Sequence, residues 1–387
     1  MQQAVAGVPG DICRTASCAR AGDGAESLRM DAHIRFDGVV AIVTGAGRGL
    51  GRAHALMLAS RGCRVLVNDL GGGPSGGDVV DGGALRVGLN EDIQRLPPST
   101  APADEVVSEI RQAGGVAMAN YDSVADGQRI VDAAVEKWGS VQILVCNAGI
   151  VRTKYFADYT QNDWDKLMEV HLQGTFSVVR AVWPQMCEQN YGRIVFTASS
   201  AGLFGQRLQS GYAAAKMAMV GLARVLALEG KRYNINTNVI APAAATRITD
   251  PAELVVQRGK GKGTPADPLA SQTGAPTNKE QVQMSPQLVA PLVAFLCHDS
   301  CDASGSIYHA GGGWYGRVEL IQAAGMMLDE ETIANPSLAS PEMIRRGFAE
   351  VEALDGEATI NGPGNQALGH MLYKRQHERS KTLRSSL

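Results

Sequence analysis

Val39-Val40-Ala41-Ile42-Val43-Thr44-Gly45-Ala46-Gly47-Arg48-Gly49-Leu50-Gly51 sets the architecture of this 387-residue chain. A β-branched run enters a glycine turn, and a helical apolar pattern (Leu50, Ala53, His54, Met57, Leu58) leaves it. Glycines let a backbone approach a pyrophosphate, and the N-terminus of the following helix presents N–H groups to it. The spacing Gly45-x-x-x-Gly49-x-Gly51 departs from G-x-G-x-x-G, while the strand before it and the helix after it stand where the chemistry needs them. A second strand, Arg64 to Asn68, runs into Asp69, 24 residues past Gly45. A carboxylate there suits the hydroxyls of an adenosine ribose. Strand and helix patterns alternate from Val39 onward, which predicts a doubly wound parallel α/β sheet of Rossmann type with helices on both faces. Ser306 to His309 is the predicted last strand of seven.

A second constellation is Tyr212-Ala213-Ala214-Ala215-Lys216. Residues four apart on a helix share a face, so one substrate can meet both side chains. A free phenol, with a pKa of about 10, is a weak base at neutral pH, and a nearby ammonium favours the phenolate. Ser199, thirteen positions before Tyr212, follows the strand pattern Arg193 to Thr197, which places its hydroxyl at a strand end. By itself Tyr-x-x-x-Lys is common in surface helices; the glycine turn raises its weight.

Thr44-Gly45-x-x-x-Gly49-x-Gly51, Asn147-Ala148-Gly149, Ser199 and Tyr212-x-x-x-Lys216 together resemble the short-chain dehydrogenase/reductase family in order and spacing. The resemblance implies a nicotinamide cofactor and three catalytic residues: Tyr212 as acid/base, Lys216 lowering its pKa and bonding the nicotinamide ribose, and Ser199 on the substrate oxygen. It implies that Gly45, Arg48, Gly49, Leu50 and Gly51 cradle the pyrophosphate, and that Asp122 and Ser123 hold the adenine. Asn147, Ala148 and Gly149 would pass the cofactor ribose. Asp122 and Ser123 have an ordinary alternative as a helix N-cap. Asp69 disfavours a 2′-phosphate and Arg48 attracts one; NAD is the expected cofactor, ahead of NADP. The family also assembles through helices matching Asp163–Glu188 and Tyr212–Gly230, so a homodimer or homotetramer is expected.

More narrowly, Asn68-Asp69-Leu70-Gly71-Gly72, Val170-His171-Leu172-Gln173-Gly174 and Leu296-Cys297-His298-Asp299-Ser300-Cys301 resemble the (3R)-hydroxyacyl-CoA dehydrogenase units of peroxisomal D-bifunctional (multifunctional) proteins. The likeness runs over residues 33–318 and implies a 3-hydroxyacyl-CoA substrate. A hydroxysteroid or other lipid alcohol dehydrogenase is the alternative, as is a cofactor-sensing binding protein, since fold alone does not give function. His171 stands where most family members carry an asparagine. It can serve a proton relay to the lysine or sit as a hydrogen-bonded core residue.

The bulk properties fit such an enzyme. A net charge of -3 with 45% hydrophobic residues points to neither nucleic acid nor a membrane surface as partner. No uncharged apolar run of about 18 residues is evident, so no bilayer span is expected. Seven cysteines, Cys13, Cys18, Cys63, Cys146, Cys187, Cys297 and Cys301, lack paired spacing and suit a reducing, cytoplasmic setting. Cys297-His298-x-x-Cys301 offers too few ligands for zinc, and no metal is expected. Residues 1–32 are expected to be a disordered leader and 319–387 a C-terminal extension. Residues 71–102 are read as an insertion on the adenosine side. Residues 251–282 are read as a mobile loop over the substrate, with Arg258, Lys260 and Lys262 either solvated or facing coenzyme A phosphates.

Overall fold

The computed structural model describes residues 33–71, 80–81, 84–85, 101–244, 284–323, 325–354 and 359–360. The expected leader, nearly all of the 71–102 insertion, the 251–282 loop and the basic end of the chain lie outside the described residues.

The first strand, β1 (Val40–Thr44), is buried along its whole length. Its continuous apolar character is what a strand covered on both faces requires. The glycine turn follows, then α1 (Gly49–Ser60), β2 (Arg64–Asn68), α2 (Pro102–Gln112), β3 (Val116–Asn120), α3 (Gly127–Trp138) and β4 (Ile143–Cys146). After these come α4 (Gln161–Leu167), α5 (Gly174–Glu188), β5 (Gly192–Thr197), α6 (Ser200–Phe204), α7 (Ser210–Gly230) and β6 (Ile235–Ala243). Helix α8 (Ala290–Leu296) and the strands β7 (Ile307–Gly311) and β8 (Trp314–Val318) complete the sheet.

The sheet order is β8-β7-β6-β5-β4-β1-β2-β3. Strands β1 to β7 are mutually parallel, as predicted, with register pairs such as Val43 to Val145 and Phe196 to Val239. An eighth strand corrects the seven-stranded expectation: β8 folds back antiparallel on β7, with Gly316 opposite His309. The strand order reverses between β1 and β4, which opens a crevice at the carboxyl ends of those strands. On one face Ile130, Val131, Val178, Val182, Met219 and Val220 of α3, α5 and α7 pack on Ile42, Leu144, Ile194 and Phe196. Helices α1, α2 and α8 cover the other, and α1 packs on α8.

Two expected helices are broken. The run expected from Asp163 to Glu188 is interrupted by a π-type turn at Met168–Gln173, which separates α4 from α5. The helical apolar spacing of Met343, Ile344, Phe348 and Val351, which predicts one helix over Pro341 to Leu354, falls on two short helices, Pro341–Arg346 and Phe348–Glu352, parted at Gly347. A third finding also departs from expectation. With the short turn that follows α7, residues Ser210–Tyr233 are long and apolar enough to cross a membrane by length and composition. Half of that window is buried, and the buried face (Tyr212, Ala215, Lys216, Met219, Val220, Ala223) lies against the sheet, so α7 is a core helix here.

Candidate functional site

The glycine turn is held from below by the loop after β4. Gly45 has φ +61°, and a Cβ there would stand 2.7 Å from the Ala148 Cα, so only glycine fits. Asn147 Nδ2 donates to the carbonyls of Thr44 and Gly45, each at 3.0 Å. The Thr44 hydroxyl accepts from the amides of Asn147 and Ala148, each at 3.1 Å. Asn147 and Ala148, expected beside a cofactor ribose, thus act first as braces of the turn. Thr44, which opens the glycine motif in the sequence, thereby ties the two loops together.

Helix α1 begins at Gly49 with an extended Arg48 at its N-cap, no side-chain cap and no acidic residue in its first turn. Uncapped first-turn amides carry the positive end of the helix dipole, which suits a pyrophosphate. The residues therefore fit the phosphates of a dinucleotide. Arg48 is exposed, and Gly49, Leu50 and Gly51 open the helix beneath it. Asp69 lies across the turn, half-buried, with Oδ2 accepting from the Gly47 amide and Oδ1 from the Gly71 amide, both at 2.8 Å. Each oxygen keeps a further lone pair for a ribose hydroxyl.

Asp122 and Ser123 follow β3. Asp122 accepts from Asn120 Nδ2 at 2.8 Å and pairs with Arg129 at 3.2 Å. Ser123 caps the short helical turn Val124–Asp126 by accepting from the Ala125 amide at 3.2 Å. The capping alternative is thus realised for Ser123.

Ser199, Tyr212 and Lys216 meet at the carboxyl end of β5. Ser199 is the N-cap of α6, its Oγ accepting from the Ala201 amide at 3.2 Å. Its own proton is left to donate. Burial pushes the Tyr212 phenol up to about 12, and a hydrogen bond with the Ser199 side chain opposes that rise. Lys216 Nζ donates to the Thr197 carbonyl at 2.6 Å and stands 5.6 Å from the Tyr212 ring centroid. Burial brings this ammonium down to about 7. The expectation that Lys216 lowers the tyrosine pKa is therefore not met in this state. Burial sets the direction, and the opposing contribution comes from Ser199.

Behind Tyr212 sit Ile150, Val151, Leu167 and Ala201. The His171 ring is 1% exposed, with Nε2 2.7 Å from the Ile150 carbonyl. A Cβ on Gly149 would stand 2.6 Å from its Cε1, so Gly149 makes room for the imidazole. Beside this wall Asp163, 5% exposed, takes Lys154 Nζ at 2.6 Å and forms a capping box with Thr160. That hub was not identified in the sequence, although Thr160-x-x-Asp163 is a capping-box signature. Among the described residues no group of three His, Cys, Asp or Glu could hold a metal ion.

A family model for short chain dehydrogenases matches residues 93–254. The chain belongs to the short-chain dehydrogenase/reductase family, whose members are oxidoreductases that use a nicotinamide cofactor. It is 42% identical over 323 residues to a short-chain type dehydrogenase/reductase of Mycobacterium tuberculosis, covering 82% of this chain and 95% of that protein. It is 40% identical over 314 residues to peroxisomal multifunctional enzyme type 2 of Drosophila melanogaster, covering 81% of this chain and 44% of that one. The solved structure of that full-length enzyme superposes with a TM-score of 0.64 at 32% identity, covering 89% of this chain and 50% of the other. The chain thus spans about half the length of that multifunctional enzyme.

Proposed function

We propose that the chain is a (3R)-3-hydroxyacyl-CoA dehydrogenase that uses NAD. The observation that carries this reading is the meeting of the Ser199 and Tyr212 hydroxyls beside Lys216 at the carboxyl edge of the sheet. The likeness to the multifunctional enzyme supports the acyl-CoA substrate class. Ser199 donates its free proton to the substrate oxygen and fixes the carbinol. Tyr212 exchanges the hydroxyl proton, and Lys216, anchored on Thr197, holds positive charge at the base of the site. A bound nicotinamide cofactor would supply the hydride acceptor or donor, and these residues would supply position and proton transfer. Asp69 supports NAD because a 2′-phosphate would meet a carboxylate already fixed by two amides. The five free thiols among the described residues support a reducing compartment such as the cytoplasm.

The test is a panel of (3R)-hydroxyacyl-CoA esters of several chain lengths, run beside hydroxysteroids with NAD and NADP. Turnover of the esters with NAD is expected. Turnover of steroids alone would replace the substrate assignment and leave the family intact.

A further inference from the structure

His171 is a buried polar group behind Tyr212 that the proposed reaction does not use, and its geometry is unusually constrained. It lies within the π-type turn Met168–Gln173. Such wide turns are rare and concentrate at functional sites. The ring is 1% exposed, and Gly149 leaves the space it fills. Nε2 stands 2.7 Å from the Ile150 carbonyl and 3.2 Å from the Ile150 amide. Nε2 can donate to that carbonyl or accept from that amide, so the Ile150 backbone holds the ring in either tautomer. Nδ1 is buried and without a hydrogen-bond partner. Burial and the Lys216 charge hold the imidazole neutral, well below its ordinary pKa.

The ring meets Tyr212 edge to face, with centroids 5.3 Å apart and planes at 82°. This is the preferred arrangement of two aromatic rings, and it resists rotation of either one. The phenol has Ser199 at its hydroxyl and this imidazole against its ring. We propose that His171 is a positioning residue for Tyr212: the Ile150 backbone fixes the imidazole plane, and the imidazole fixes the plane of the phenol so that its hydroxyl stays beside Ser199. The ring contact, rather than the unpartnered Nδ1, carries the effect. The inference rests on Tyr212 being the acid/base of the proposed reaction.

The geometry separates two substitutions. His171→Phe keeps an aromatic ring against Tyr212 and loses the bond to Ile150. His171→Asn keeps a donor and loses the ring. A misplacement of about 1 Å at a reacting group costs up to about 100-fold in rate. His171→Asn should therefore lower kcat at least tenfold while KM and the cofactor Kd stay within about twofold. His171→Phe should recover most of kcat, with Tyr212→Phe measured alongside. Asn at or above Phe in kcat, or an Asn variant with the parent rate, would overturn the positioning role. Equal losses in both variants that follow their loss of melting temperature would do the same, marking His171 as a packing residue. If Tyr212→Phe itself kept the parent rate, the acid/base assignment would fall independently of His171. Should the Phe variant not fold, the Asn variant's kcat against its unchanged KM still decides.

Discussion

Lys216 Nζ is hydrogen-bonded to the Thr197 carbonyl at 2.6 Å, which ties the catalytic helix to the end of β5 from inside the fold. The same burial lowers its pKa from 10.5 to about 7. Between those values the unfolded chain binds the proton more strongly, so this group's stability contribution is present at high pH and is lost as pH falls through 7. Stability referable to Lys216 should thus rise from pH 7 to 9, by up to about 1.4 kcal/mol per unit. Urea unfolding at both values, parent beside Lys216→Met, should show a steeper rise in the parent; parallel curves would contradict the burial of this ammonium.

Tyr212→Phe keeps the ring against His171 and removes only the hydroxyl. Turnover should fall by about 100-fold or more, the scale of a lost general acid/base. Cofactor affinity, read by fluorescence titration, should hold within about twofold. A rate within tenfold of the parent would remove Tyr212 from the mechanism.

Asp69 and Arg48 pull the choice of cofactor in opposite directions. Like charges at about 4 Å repel by roughly 4 kcal/mol at an effective dielectric near 20, and a 2′-phosphate carries more than one charge. The parent should prefer NAD by at least about tenfold in kcat/KM, on a free-energy scale where tenfold is about 1.4 kcal/mol. Asp69→Ala should bring the two cofactors toward parity. A parent that prefers NADP would show that Arg48 dominates.

His54, on α1, is fully buried with both ring nitrogens unpartnered, and burial lowers its pKa from 6.5 to about 3. The unfolded chain takes the proton first, so this contribution to stability is present above 6.5 and is lost as pH falls toward 3. His54→Leu removes buried polar atoms without partners and should stabilise by about 1–3 kcal/mol. The gain should be larger at pH 5 than at pH 7 in urea titrations. A destabilised variant at both values would mean that the imidazole is satisfied in solution.

Helices α5 and α7 leave an apolar groove between them, lined by Phe176, Val179, Trp183, Leu222 and Leu226 among others, with Phe176 51% exposed. We expect a homodimer or homotetramer through this face, as an apolar face of this kind suggests. Light scattering at micromolar concentration should give a multiple of the chain mass, and Phe176→Asp should reduce it. A monomeric parent would count against the interface.

The turn at Gly45 and the pair Tyr212 and Lys216 were legible because each is local: a strand-to-helix switch of period, and two side chains one helical turn apart. The interruption at Met168–Gln173 was not. Trp164, Leu167, Leu172, Phe176 and Val179 keep helical spacing across it, and the contact of His171 with Ile150 that accompanies the wide turn is tertiary. Strand β8 escaped for a different reason. Trp314 and Tyr315 are exposed, so the strand lacks the buried alternation that marks one in sequence. Nor can spacing alone set the Tyr212 pKa, because it follows from burial that only the packed fold supplies.

The brace from Asn147 to Thr44 and Gly45 has a consequence for how a nucleotide is received. With its carbonyls engaged by Asn147 and Gly45 pressed against Ala148, the turn is held in shape by the protein's own bonds. Ordering a flexible loop on association would cost conformational entropy, and a rigid one avoids most of that cost. A dinucleotide therefore meets a template rather than a clasp. Its capture is governed by encounter and charge, and the memory of the bound form resides in the chain itself.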